Sequence, residues 1–134
     1  MTLCLLPLLK KSPKARVITV SANLYIAGEI NFENINLRNG SYSPLKGYAQ
    51  SKLANILFTR EMARRLGTNS NVNTYSLHPG VFNSELSRHM SSKSLMDRLG
   101  LINLFFETVE SGAQTTLYCA LEKSLDNETG FYYE

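Results

Sequence analysis

Hydrophobic and polar positions follow strand and helix periods in turn along the first eighty residues. Residues 16–22 are rich in β-branched side chains and nearly continuous in apolar ones, which predicts a strand buried on both faces of a parallel sheet. In residues 44–66 the apolar side chains recur at helical spacing and the charged side chains cluster near the end of the segment. Gly67 follows as a stop signal, so this segment predicts one amphipathic helix. The apolar positions of that helix are Leu45, Ala49, Leu53, Ile56, Leu57 and Ala63. Residues 72–77 predict a second strand, closed by His78-Pro79-Gly80.

The remaining segments are shorter or less regular. The apolar run at residues 3–9 is far below the roughly 20 residues of a membrane span and precedes Lys10-Lys11, so we expect the end of a buried helix. Residues 23–43, rich in Asn and Gly, predict a long functional loop, and residues 84–107 predict one or two short helices. Residues 110–123 predict an amphipathic helix, and residues 130–133 have strand character. One face of that helix would carry Ala113, Leu117, Ala120 and Leu121.

The order strand, helix, strand defines an α/β protein. Two strands joined by a crossover helix are normally parallel neighbours with a right-handed connection. The 134 residues contain neither an internal repeat nor a linker, and a hydrophobic content of 43% with 19% charged residues is typical of one globular domain. We therefore treat residues 1–134 as a single unit.

The charge, the cysteines and the histidines of the chain limit the kinds of function that it could have. A net charge of +3 with scattered basic residues gives no footprint for nucleic acid. Cys4 and Cys119 are isolated thiols, which suits a reducing intracellular compartment, with a bridge between them as the weaker alternative. His78 and His89 have no ligand spacing with Cys119, so no metal is predicted. The Gly-x-Ser-x-Gly elbow of a serine hydrolase is absent from the sequence.

The pair Tyr48 and Lys52 is the strongest candidate for chemistry. Side chains four residues apart share a helix face, and a nearby ammonium would lower the phenol pKa from its ordinary value of about 10. Proton transfer to a carbonyl or from an alcohol needs such a group. The alternative is a surface pair that arose by chance, because the chain has seven tyrosines. The position of the pair favours chemistry, since ligands bind beyond the carboxyl ends of strands in open α/β sheets.

Four segments make the chain similar to the short-chain dehydrogenase/reductase family, and especially to its retinol dehydrogenase-like branch. They are Arg-Val-Ile-Thr-Val-Ser at 16–21, Tyr-Ala-Gln-Ser-Lys-Leu-Ala-Asn-Ile-Leu-Phe-Thr-Arg-Glu at 48–61, Leu-His-Pro-Gly-Val at 77–81 and Ser-Gly-Ala-Gln-Thr at 111–115. The resemblance implies that Tyr48 transfers the substrate proton, and that Lys52 lowers the pKa of Tyr48 and holds the nicotinamide ribose. It also implies that Pro79, Gly80 and Val81 lie against the nicotinamide, and that Ser84 contacts its carboxamide.

The resemblance also implies the fold and the cofactor. The fold would be the C-terminal part of a doubly wound, Rossmann-like parallel sheet that lacks the first four strands, because the family's glycine-rich phosphate loop has no counterpart in this sequence. The cofactor would be NADP, with NAD as the alternative. The substrate would be a lipophilic, retinoid-like alcohol, aldehyde or ketone, and apolar residues between 95 and 106 could line its pocket or pack on the core.

One position departs from the family pattern. Ala22 stands where the family has the serine that binds the substrate oxygen, and Ser21 is no easy substitute because adjacent strand residues point to opposite faces. The sequence therefore leaves a second hypothesis open, a catalytically inactive truncated fragment or a noncatalytic interaction module of the same fold. An open strand edge would leave such a chain marginally stable or able to form a homo-oligomer. Membrane association would depend on segments outside this chain.

Overall fold

A computed structural model of the protein describes residues 1–80 and 109–134. Three α-helices and three strands occur in these two ranges: α1 (Thr2–Leu9), β1 (Ala15–Val20), α2 (Pro44–Leu66), β2 (Val72–Leu77), α3 (Val109–Leu121) and β3 (Phe131–Tyr133). Two 3-10 helices, Asn23–Ala27 and Lys123–Asn127, follow β1 and α3. The short helices predicted at 84–107 lie outside the described residues.

The three strands form one parallel sheet in the order β1-β2-β3. In the register, Val20 of β1 pairs with Leu77 of β2, and Leu77 pairs with Tyr133 of β3. The carboxyl ends of all three strands therefore meet at one edge of the sheet. This confirms the predicted α/β class and the parallel pairing of the first two strands.

Local sequence explains where α2 begins and ends. The Ser43 side chain accepts a hydrogen bond from the Lys46 backbone N–H, and Pro44 occupies the first turn, where its missing N–H costs nothing. Gly67 ends the helix with φ of 73°, a conformation that side chains disfavour. The predicted bounds are confirmed. Ala49, Ile56 and Ala63 are buried, whereas the predicted apolar positions Leu45 and Leu57 are exposed.

The core between the sheet and α3 consists of four buried residues, Tyr75, Leu77, Cys119 and Leu125. The face predicted for α3 is wrong: Ala113, Leu117 and Leu121 are exposed, and Cys119 is fully buried. The buried residues of this helix are instead the small residues Gly112 and Cys119, which lie seven positions apart on one face. Arg16 fixes the contact between α3 and the sheet, because its guanidinium donates to the carbonyls of Cys119 and Glu122.

Two burial predictions are also wrong. Residues of β1 are only half-buried and Val20 is 45% exposed, because in the described part of the chain only β2 lies beside β1. The run at residues 3–9 does form α1, but none of its residues is buried. Of the helices that the structure describes, none has the length and apolarity to cross a membrane. Both cysteines are free, Cys4 exposed and Cys119 buried.

Candidate active site at the carboxyl edge of the sheet

Tyr48 and Lys52 lie in the second and third turns of α2, about one helical turn apart. The Lys52 ammonium lies 5.3 Å from the centroid of the Tyr48 ring, so the two side chains are in contact on one face of the helix. Lys52 Nζ also donates to the Val20 carbonyl at 3.3 Å. The structure thus places the predicted pair beside the carboxyl end of β1, the edge at which ligands of open α/β sheets bind.

The electrostatic expectation for Tyr48 is wrong for the chain by itself. Its pKa lies above the ordinary value of 10.0, and the cause is burial, which disfavours the charged phenolate. The Lys52 ammonium faces the ring and binds Val20, and it does not lower the pKa of the phenol in this arrangement. Tyr48 is consequently a neutral phenol at physiological pH. A neutral phenol is poised to donate a proton.

Ser21 and Ala22 are the two residues that follow β1. Ser21 is buried, with 2% of its surface exposed, and its hydroxyl donates to the Lys52 carbonyl at 2.7 Å. Ala22 is also buried and has an extended backbone. The Ser21 hydroxyl is therefore engaged by α2.

The turn after β2 completes this edge. Pro79 and Gly80 are half-buried, and the positive φ of 86° at Gly80 is easily reached only by glycine. Because Val20 pairs with Leu77, this turn leaves the sheet next to the segment that carries Ser21. Val81 and Ser84, the other two residues predicted to bind the cofactor, lie outside the described residues, as does the proposed apolar lining at 95–106.

Sequence reasoning missed two contributors to this site. Asn55 lies less than one turn after Lys52, and its amide donates to the same Val20 carbonyl at 3.1 Å. Gly28 approaches α2 so closely that a Cβ there would lie 2.5 Å from the Ala49 carbonyl oxygen. The spacing of Asn55 from Lys52 could have indicated a shared face. Nothing local to Gly28 predicts its contact with the helix, because that contact depends on the path of the loop.

Comparison with solved structures defines the class of protein first. The chain matches a short chain dehydrogenase from Salmonella enterica subsp. enterica serovar Typhi with a TM-score of 0.64 and 20% identity. The match covers 98% of this chain and 45% of that one. The chain therefore has the fold of a short chain dehydrogenase over somewhat less than half of that fold.

Comparison with curated proteins identifies the branch. The chain is 46% identical over 136 residues to mouse retinol dehydrogenase 14 and 44% identical over 133 residues to human retinol dehydrogenase 12. Each match covers 99% of this chain, which spans 40% and 41% of the length of these two relatives. No family model matches the chain. The chain is therefore similar over nearly its whole length to the retinol dehydrogenases, and it corresponds to about two fifths of the length of those relatives.

Proposed function

We propose that this chain supplies the proton-transfer and nicotinamide-ribose site of an NADP-dependent oxidoreductase that acts on alcohol or carbonyl groups of lipophilic, retinoid-like substrates. The observation that carries the proposal is the contact between Tyr48 and Lys52 beside the end of β1, where the ammonium lies 5.3 Å from the ring centroid. The names of the two relatives support an enzyme over a noncatalytic module, and they support retinol or its aldehyde as the substrate.

The residues at this edge fit the nicotinamide ribose. The Lys52 ammonium has three donors and makes one hydrogen bond within the described residues, to Val20, so donors remain for ribose hydroxyls. The Tyr48 hydroxyl makes no hydrogen bond to any residue of the described ranges, and it can reach a ligand oxygen instead. Gly80 has no side chain to separate a flat ring from the turn.

Carbonyl reduction at this site would use both Tyr48 and Lys52. The bound cofactor would supply the hydride that the carbonyl carbon accepts. The Tyr48 hydroxyl would give its proton to the carbonyl oxygen as charge develops there, so that an alcohol forms and the phenolate is reprotonated from solvent. Lys52 would stabilise that phenolate for the time it exists. The pKa of Tyr48 lies above 10.0, so the phenol carries its proton at neutral pH, as a proton donor requires.

A chimera tests this proposal. Residues 1–134 replace the matching segment of mouse retinol dehydrogenase 14, and reduction of retinal is followed with NADPH and with NADH. We expect turnover that depends on NADPH. In this chimera, Lys52→Met should raise the KM for NADPH by about tenfold or more, because it removes the contact with the ribose. Lys46→Met is the control, since this exposed lysine lies in the first turn of α2. Equal KM values for the two variants would contradict the role of Lys52.

A further inference from the structure

Two side-chain hydroxyls attach α2 to the sheet. The Ser21 hydroxyl, at the end of β1, donates to the Lys52 carbonyl at 2.7 Å. The Thr74 hydroxyl, on β2, donates to the Thr59 carbonyl at 3.0 Å. The two acceptors are about two turns apart on α2, so they lie on the same face of the helix. Ser21 therefore holds the half of α2 that carries Tyr48 and Lys52, and Thr74 holds the half beyond it.

The end of β1 binds Lys52 through two groups, the backbone carbonyl and the side-chain ammonium. Ser21 binds its backbone carbonyl, and the preceding residue, Val20, accepts a hydrogen bond from its ammonium at 3.3 Å. The Lys52 carbonyl lies within α2, where it also accepts the helical N–H four residues on, so it does not need the Ser21 hydroxyl to be satisfied. The bond from Ser21 instead fixes where this turn of helix lies relative to the strand.

We propose that Ser21 is a positioning residue, which sets the place of Tyr48 and Lys52 over the carboxyl end of β1 through its hydrogen bond to the Lys52 carbonyl. The inference deepens the proposed function and rests on it for the identity of the site. It excludes Ser21 as the donor that replaces the family serine at Ala22, because the buried hydroxyl has one proton to donate and gives it to α2. Without this bond, the first half of α2 is held by the long side chains of Lys52 and Asn55, which donate to the Val20 carbonyl, and by the packing of residues such as Ala49.

The first experiment measures the titration of Tyr48 in the full 134-residue chain by NMR of tyrosine labelled at the ring carbon that bears the hydroxyl. Comparison with Tyr48→Phe assigns the signal among the seven tyrosines. In Ser21→Ala the turn should move outward and expose the phenol, so its pKa should fall toward 10.0. Ser21→Thr keeps the hydroxyl and should restore the original titration.

Thr74→Val is the matched control, because it removes the other hydrogen bond from a strand hydroxyl to an α2 carbonyl. It should destabilise the chain as Ser21→Ala does and leave the Tyr48 titration unchanged. The same titration in Ser21→Ala and Thr74→Val would overturn the proposal. If Ser21→Ala fails to fold, Ser21→Cys, which keeps the size and a weak donor, should shift the titration in the same direction by less, and an unchanged titration there would overturn it too.

The second experiment measures retinal reduction by the chimera. Ser21→Ala should lower kcat by about tenfold, because a small misplacement of a proton donor slows reaction more than it weakens binding, and Thr74→Val should change kcat by less than about twofold. Equal kcat values for the two variants would contradict the positioning role. If the chimera retains activity with Tyr48→Phe, the proposed function fails, and the Tyr48 titration still decides whether Ser21 positions this turn.

Discussion

Arg16 holds α3 against the sheet, and its removal should clearly reduce the stability of the described fold. Its guanidinium donates to the Cys119 carbonyl at 2.9 Å, the Glu122 carbonyl at 2.7 Å and the Asp126 carboxylate at 2.7 Å. The side chain is 15% exposed, so water replaces little of this network when it is lost. Two of the acceptors lie at the carboxyl end of α3, where the helix dipole favours a cation.

The change that tests this is Arg16→Met, which keeps an apolar stem and removes the donors. Hydrogen bonds to charged groups contribute about 1.5–3 kcal/mol each when buried. Because the carbonyls gain some access to water in the variant, we expect a net loss of about 2–4 kcal/mol, a large part of the 5–15 kcal/mol typical of a domain. The loss should appear as a lower urea midpoint with an unchanged slope, followed by far-UV circular dichroism.

Arg64→Met is the matched control. Arg64 binds Glu61 within one helix, but its side chain is 71% exposed, and pairs of this kind contribute little in water. We expect no measurable change in its urea midpoint. Equal midpoints for Arg16→Met and Arg64→Met would refute the view that the contacts of Arg16 hold α3 against the sheet.

Three further outcomes follow from the structure. Gly28→Ala should destabilise the chain by several kcal/mol and disturb the start of α2, because the added Cβ would lie 2.5 Å from the Ala49 oxygen; a thermal midpoint equal to that of the parent chain would contradict this. Tyr132→Phe should leave the free energy of unfolding unchanged or raise it by up to about 1 kcal/mol, because this buried hydroxyl has no hydrogen-bond partner within the described residues; a clear loss of stability would show a contact that we have missed. Hydrogen bonds from Lys14, and then from Arg16, lower the pKa of Asp126 below 3.8, so the ionised carboxylate stabilises the fold above that pH. The free energy of unfolding should therefore fall as the pH drops below about 4, and it should fall by less in Asp126→Asn. Equal acid sensitivity in the parent chain and the variant would refute the assignment.

Local signals in the sequence were sufficient for α2 and β2. Ser43-Pro44 and Gly67 mark the ends of α2 by capping chemistry, and the apolar run before His78-Pro79 bounds β2. The pairing of β1 with β2 also followed, because a crossover helix between two strands leaves few alternatives. The positions of Tyr48 and Lys52 near the strand ends followed from that topology.

The parts that sequence reasoning missed depend on contacts between distant residues. Leu117 and Leu121 are more apolar than Gly112, but the small residues are the ones that α3 buries, and periodicity alone does not show this. The bond from Ser21 to Lys52 joins residues 31 positions apart, and no local pattern encodes it. The raised pKa of Tyr48 also required the structure, because the sequence gives the spacing of Lys52 and not the orientation of its ammonium.

The measurement that tests the central claim most directly is the rate of retinal reduction by the chimera with Tyr48→Phe. This change removes one hydroxyl and leaves the ring packed, so the variant should fold as the parent does and lose activity by about a hundredfold or more. Tyr42→Phe is the control, since this exposed tyrosine lies just before α2 and its hydroxyl has no place in the proposed chemistry. Activity in Tyr48→Phe equal to that in Tyr42→Phe would contradict the assignment of proton transfer to Tyr48.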